Sequence, residues 1–147
     1  GHAVRLRALP SGRPRVTHVA PAGARAPAAS RAVFVDGLNH VLDALDTRQV
    51  ERIVFVSSSA VYGEHRGDWV DEDTPPAPQG FNGRILLEAE AALAARATPH
   101  TTLRLAGLYG PGRLQLIERL RTGKASAPLE PPHWANRTHI DHAAAAL

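Results

Sequence analysis

Three consecutive serines, Ser57, Ser58 and Ser59, follow the apolar run Ile53–Val56, and Tyr62 comes four residues after Ser58. Hydroxyls at the carboxyl end of a buried strand can hydrogen-bond an oxygen of a ligand, because open α/β sheets take ligands at that edge. The same serines would also serve as turn formers where a strand ends. Asp71, Glu72 and Asp73 form a second group. Paired carboxylates can share proton chemistry, but a short acidic run in a loop is more often a solvated or helix-capping feature. His139 and His142 stand at a spacing that can chelate a metal, with Asp141 alone beside them and no Cys anywhere in the chain. No metal site is expected from so few donors. Tyr62 and Tyr109, the only tyrosines, each have an arginine four residues on, at Arg66 and Arg113. Both pairs fall outside predicted helices, so the spacing does not bring them onto one helix face.

Alternating strands and helices must position these groups. Apolar segments at Ala3–Leu9 and Val16–Ala20 read as strands, and the Pro/Gly/Ala-rich Pro21–Ser30 stretch as a loop. Val33, Phe34, Leu38, Val41, Leu42 and Leu45 recur at helical spacing and predict a helix over Arg31–Leu45. Arg52–Val56 suits a strand buried on both faces, as in a parallel sheet. Glu64–Gly80 is polar and Pro-rich, hence a surface loop. A helix is expected over Arg84–Arg96, a strand over Thr101–Ala106 and a helix over Leu114–Thr122 that stops at Gly123. Lys124–Arg137 reads as a loop and Ile140–Leu147 as a helix. From residue 31 onward the order is that of parallel β-α-β units.

Composition narrows the classes of function. The 147 residues are 44% hydrophobic and 21% charged, within the range of one globular domain. The net charge is +3, carried by scattered arginines, with Lys124 the only lysine. No basic stripe interleaved with aromatics appears, so nucleic acid is not an expected partner. No apolar run approaches the roughly 20 residues of a membrane span, and no signal peptide opens the chain. The lack of Cys fits a reducing compartment, so the cytoplasm is the expected location.

Four segments carry a family resemblance. RIVFVSSSAVYG at Arg52–Gly63 resembles the strand end bearing the catalytic serine in the NAD-dependent epimerase/dehydratase family of extended short-chain dehydrogenases/reductases. VDEDTPP at Val70–Pro76, RLAGLYGPGR at Arg104–Arg113 and ANRTHIDHAAAAL at Ala135–Leu147 resemble three further family segments, in family order. The match covers residues 31–147 well and 1–30 loosely. It implies an α/β fold, a Rossmann-like doubly wound parallel sheet, here incomplete, as one partial NAD(P)-binding domain over residues 1–147. The resemblance places the catalytic hydroxyl at Ser58, with Ser59 the alternative. It implies cofactor contacts from Ala20, Pro21, Ala22, Ser57, Leu105, Ala106, Gly107 and Leu108, and ligand contacts from Tyr62, Tyr109, Arg113, Asn136, Arg137 and His139. A nucleotide-sugar-like ligand is the implied partner. Helices 31–45 and 84–96 match those of the family's four-helix dimer interface, so a homodimer is a further expectation.

Two departures from the family pattern matter. The family's chemistry uses a Tyr and a Lys four residues apart on one helix, the Lys lowering the Tyr pKa so that it acts as general base. In FNGRILLEAE, with its AE aligned on the family's Ala-Glu, those positions are Asn82 and Leu86, and one residue earlier they are Phe81 and Ile85, which supply the pair no better. Asn82 is therefore the third candidate catalytic position, in an altered role. The family's opening glycine-rich turn, G-x-x-G-x-x-G, does not occur in the 147 residues. GHAVRLRAL instead resembles the family's second strand, as though the chain were a section of a longer protein. At the end of that strand an acidic residue favours NAD and an arginine NADP. Arg5, Arg7 and Arg13 with no acidic neighbour tilt the expectation toward NADP.

The functional expectation is thus an NAD(P)-binding epimerase/dehydratase-like protein with its redox chemistry altered or lost. The alternatives are a non-catalytic dinucleotide sensor and a dimerising scaffold. The structural expectations are a central strand at Arg52–Val56, both long helices packed on one side of it, and Ser58 or Ser59, Asn82 and Ala106–Tyr109 around one cleft.

Overall fold

The computed structural model describes residues 14–20, 26–46, 49–126, 130 and 134–147, together with the backbone course of 3–8. Four strands form the main sheet: β1 (Ala3–Ala8), β2 (Pro14–Val19), β3 (Arg52–Ser58) and β4 (His100–Leu105), in that spatial order. β2, β3 and β4 run parallel, with His18 opposite Phe55 and Ser57 opposite Arg104. The expected central strand is thus interior. Ile53, Val54 and Phe55 are all buried, which explains why this run lacks the apolar/polar alternation of a strand with one wet face.

β1 corrects one expectation. It pairs antiparallel with β2, Ala3 opposite Val19 and Ala8 opposite Pro14. It is therefore not the family's second strand, which is parallel to its neighbours. A connection of only five residues leaves no room for a parallel crossover, which needs a dozen or more residues.

The first helical segment starts earlier than its periodicity implied. α1 (Pro27–Arg31) continues through a π-helical stretch (Ala32–Asp36) into α2 (Gly37–Ala44). Pro27 in the first turn costs the helix nothing, since the N–H it lacks would have no intrahelical partner there. Residues 27–30, expected in a loop, are therefore helical. α3 (Phe81–Ala94) also begins before the expected Arg84. Gly83 explains how. A Cβ there would lie 2.4 Å from the Ala60 carbonyl oxygen, so only glycine lets the first turn of α3 rest on the turn that follows β3.

Val35, Leu38 and Leu42 of the first helical segment and Ile85, Leu86, Ala89 and Leu93 of α3 share one core with Val16, Ile53 and Phe55. Both helices thus cover the same face of the sheet, as expected. Full burial of a side chain such as Phe55 is worth roughly 1.5–3 kcal/mol, and this shared core holds β3 in place.

A second, two-stranded parallel sheet had no counterpart in the sequence reading. It joins β5 (Gly107–Tyr109) to β6 (Arg137–His139). β6 leads into α5 (Ile140–Ala145), and α4 (Gln115–Arg121) lies between the two strands in sequence. Leu116, Ile117 and Leu120 of α4 are exposed. Among the described residues no helix is long and apolar enough to cross a membrane.

Candidate functional site

The serine cluster occupies the carboxyl end of the central strand. Ser58 ends β3 and caps the short 3₁₀ turn Ser59–Val61, its Oγ accepting a hydrogen bond from the Ala60 N–H at 3.2 Å. Among the described residues its own proton has no acceptor and can be donated. Ser57, two residues on from Phe55, points to the helix side and is buried. Its Oγ donates to Glu90 Oε1 of α3 at 2.5 Å. Ser57 is therefore committed to packing, whereas Ser58 and Ser59 are half-buried at the rim.

Glu90 anchors a polar network under that rim. Arg104 of β4 donates from Nη2 to Glu90 Oε2 at 2.7 Å and from Nε to both carboxylate oxygens at 3.2 and 3.3 Å. Its Nη1 donates to the Tyr62 hydroxyl at 2.9 Å, and that hydroxyl donates to the Asp71 carbonyl at 2.7 Å. The hydrogen bond to Glu90, then that to Tyr62, raises the Arg104 pKa, so the guanidinium stays charged at every accessible pH. Only 21% and 11% of the Arg104 and Glu90 side chains are exposed. Charge-assisted bonds between such partly buried groups are stronger than surface pairs.

The loop after Tyr62 is tied locally. Asp71 Oδ1 accepts from the Thr74 hydroxyl at 2.7 Å and from the Thr74 and Asp73 N–H groups at 2.9 and 3.2 Å. The Thr74 hydroxyl is the main cause that holds the Asp71 carboxyl below its ordinary value. A depressed carboxylate contributes stability above its unfolded pKa, and that contribution is lost as pH falls through the folded value. The Thr74 amide resonance is therefore expected to titrate below the ordinary aspartate value of about 3.9 and to stop responding in Asp71→Asn. Titration of the wild-type amide at the ordinary value would refute this arrangement.

A cavity of about 850 Å³ runs along β4, lined by Ser59, Tyr62, Asp71, Glu90, Arg104, Leu105, Ala106, Asn136 and Thr138 among others. Ser59, Tyr62, Leu105, Ala106 and Asn136 are thus brought together. Ser58 stands beside them at the strand end. Gly107 and Leu108 continue into β5, half-buried, and Ala20 follows the end of β2 beside β3. Tyr109 is exposed and meets the His139 ring edge-on at 5.1 Å, across the β5–β6 pair. Arg113 is exposed, its N–H bonded to the Gly110 carbonyl at 2.9 Å. The Arg137 guanidinium lies against Gly107, and His139 Nδ1 accepts from the Asp141 N–H at the start of α5.

Asn82 lies in the first turn of α3, exposed and outside the cavity lining. Leu86 is 6% exposed and belongs to the core. Pro21, Ala22, Arg13 and the side chains of Arg5 and Arg7 lie outside the described residues. The sequence reading missed Arg104 as a site residue. Its one signal was an arginine set between Leu103 and Leu105 on a strand, a placement that calls for a partner when the side chain is largely covered.

A parallel sheet with helices packed across it and a serine-bearing turn at the carboxyl end of its central strand defines a Rossmann-like protein with its ligand edge at that turn. The sequence model of the NAD dependent epimerase/dehydratase family matches residues 16–132. Protein YeeZ of Escherichia coli K12 is 35% identical over 117 residues, covering 78% of this chain and 40% of that protein. A solved structure of this family assignment from Methylobacillus flagellatus has 42% identity and a TM-score of 0.68, over 81% of this chain and 42% of that one. MoeE5, solved with UDP-glucose and NAD, has 27% identity and a TM-score of 0.69, over 88% of this chain and 49% of that one. The chain belongs to the NAD-dependent epimerase/dehydratase family. It spans 40% of the length of YeeZ.

Proposed function

We propose that this chain is the NAD-binding and serine-bearing section of an epimerase/dehydratase-like protein, with the usual Tyr–Lys chemistry replaced. The observation that carries this reading is the placement of Ser58 and Ser59 at the carboxyl end of the central parallel strand, next to the end of β2. Small residues there, Ala20 and Ser58, leave room for a ring and a ribose to approach the backbone. These positions fit the nicotinamide half of a dinucleotide, with Leu105 and Ala106 flanking it. When bound, the dinucleotide would supply hydride acceptance. The chain's own part is to bind, to orient and to offer the Ser58 or Ser59 hydroxyl to a ligand oxygen. A nucleotide sugar is the proposed second ligand, met by Tyr62, Asn136 and the Tyr109–His139 pair, with Arg113 and Arg137 at the rim. Location in the cytoplasm and a homodimer through the first helical segment and α3 are part of the same reading.

The cofactor proposed is NAD. The tilt toward NADP rested on Arg5 and Arg7 ending the family's second strand, and β1 is instead the antiparallel arm of a hairpin. Direct titration with NADH and NADPH should show tighter binding of NADH. Ser58→Ala should weaken it less than Ala20→Leu, which would fill the rim. Binding of neither dinucleotide would overturn the cofactor assignment.

The burial of Leu86 favours a second reading, a dinucleotide-binding sensor without turnover. At the position where the family carries its lysine, this chain has a core side chain. Dinucleotide binding without turnover on nucleotide sugars would select it.

A further inference from the structure

We propose that the loop from Tyr62 to Ala77 is a strap that sets the serine end of β3 and the β5–β6 unit in one frame, with Arg104 as its positioning residue. Three fastenings carry the inference. At the base, the Ala77 N–H bonds the Val61 carbonyl at 3.0 Å, which closes the loop on the serine turn. In the middle, the buried Tyr62 hydroxyl joins two otherwise separate parts. It accepts from Arg104 Nη1 at 2.9 Å and donates to the carbonyl of Asp71, nine residues further on. Arg104 is itself fixed by Glu90 of α3, so the loop takes its position from both the sheet and the helix.

The third fastening is at the tip. Gly67 has φ +92°, and a Cβ there would lie 2.5 Å from Trp134 Nε1 and 2.6 Å from Cε2. The indole therefore rests directly on the glycine backbone. Trp134 stands two residues before Asn136 of the cavity and three before β6. One loop thus connects the Arg104 network to the segment that leads into β6. Arg104 touches neither Trp134 nor the β6 segment in this network. It acts on them through Tyr62 and Asp71, and is in that sense a positioning residue.

The inference rests on the reading that the serine turn and the Asn136–His139 segment face a common ligand, but its test needs no ligand. An indole stacked on a glycine shifts the Gly67 Hα resonance upfield by its ring current. The wild-type protein should show that shift, and Trp134→Ala should abolish it. Tyr62→Phe and Arg104→Gln, which alter nothing at Gly67, should move the resonance toward its random-coil value, with the amides of Leu38 and Leu42 unmoved. Arg104→Lys, which keeps the charge and one donor, should restore part of the shift. A Gly67 resonance unchanged in a folded Tyr62→Phe protein would overturn the strap, as would a random-coil value in the wild type. Tyr62→Phe keeps the test decisive if Arg104→Gln does not fold. Failure of the wild type to bind NADH would sink the cofactor reading alone, since each of these measurements is made on the ligand-free protein.

Discussion

Arg104→Leu is expected to destabilise the fold by about 3 kcal/mol, the low end of the range for removing one partner of a buried ion pair. The reason is what it leaves behind. Glu90, with 11% of its side chain exposed, would keep Ser57 as its one side-chain partner among the described residues, and the Tyr62 hydroxyl would lose its charged donor. Partial access to water from the cavity keeps the cost from the top of the range. For a chain of this length the melting temperature should fall by roughly 6–12 °C. Glu90→Gln should cost less, because the amide retains an acceptor for Arg104 and for the Ser57 hydroxyl. Arg104→Leu combined with Glu90→Leu should recover much of the loss, since an apolar pair of similar volume is often neutral. Urea denaturation of the wild type, Arg104→Leu, Glu90→Leu and the double variant measures the cycle, with Glu90→Gln measured alongside. A loss under about 1 kcal/mol for Arg104→Leu would place the pair with ordinary surface salt bridges and remove the energetic basis of the strap.

The contrast between this network and the serine turn shows what a sequence can disclose. β3 was legible because burial on both faces forces a continuous run of apolar side chains, and Ile53–Val56 is such a run. The two long helices were legible through their buried stripes, Leu38 and Leu42 on one, Leu86, Ala89 and Leu93 on the other. Their starts were not, because Pro27 and Phe81 begin helices without a side-chain cap. β5 and β6 span three residues each, too short for any period to show. The antiparallel turn of β1 depends on the shortness of a connection, not on the composition of the strand. Asp71 was read as part of a solvated acidic cluster, and its side chain is indeed exposed. What ties it to Tyr62 is its backbone carbonyl, a group every residue carries and no sequence marks. Gly67 and Trp134 are far apart in the chain, and only folding makes one the platform of the other.

The family chemistry is the place where position and burial decide together, and there we expect the 147-residue polypeptide not to oxidise sugar hydroxyls with NAD. Loss of a general base costs on the order of 10²–10⁴-fold. A neutral amide at Asn82 cannot take up a proton as a phenolate can, and it stands exposed in the first turn of α3, outside the cavity. Leu86, one helical turn on, lies in the core with Ile85, Ala89 and Leu93. Grafting the missing pair should therefore fail in two ways. Asn82→Tyr should fold and gain no turnover, since Leu86, one turn on, supplies no charge to favour the phenolate. Leu86→Lys should lose several kcal/mol, because an ammonium would be forced among apolar side chains with no partner. The assay follows the absorbance of the reduced nicotinamide with UDP-glucose as trial substrate, alongside thermal melts of both variants. Turnover by the unmodified polypeptide would sink the expectation. It would also move the proton-carrying role to a hydroxyl already at the rim, and its loss in Ser58→Ala, Tyr62→Phe or Tyr109→Phe would identify which one.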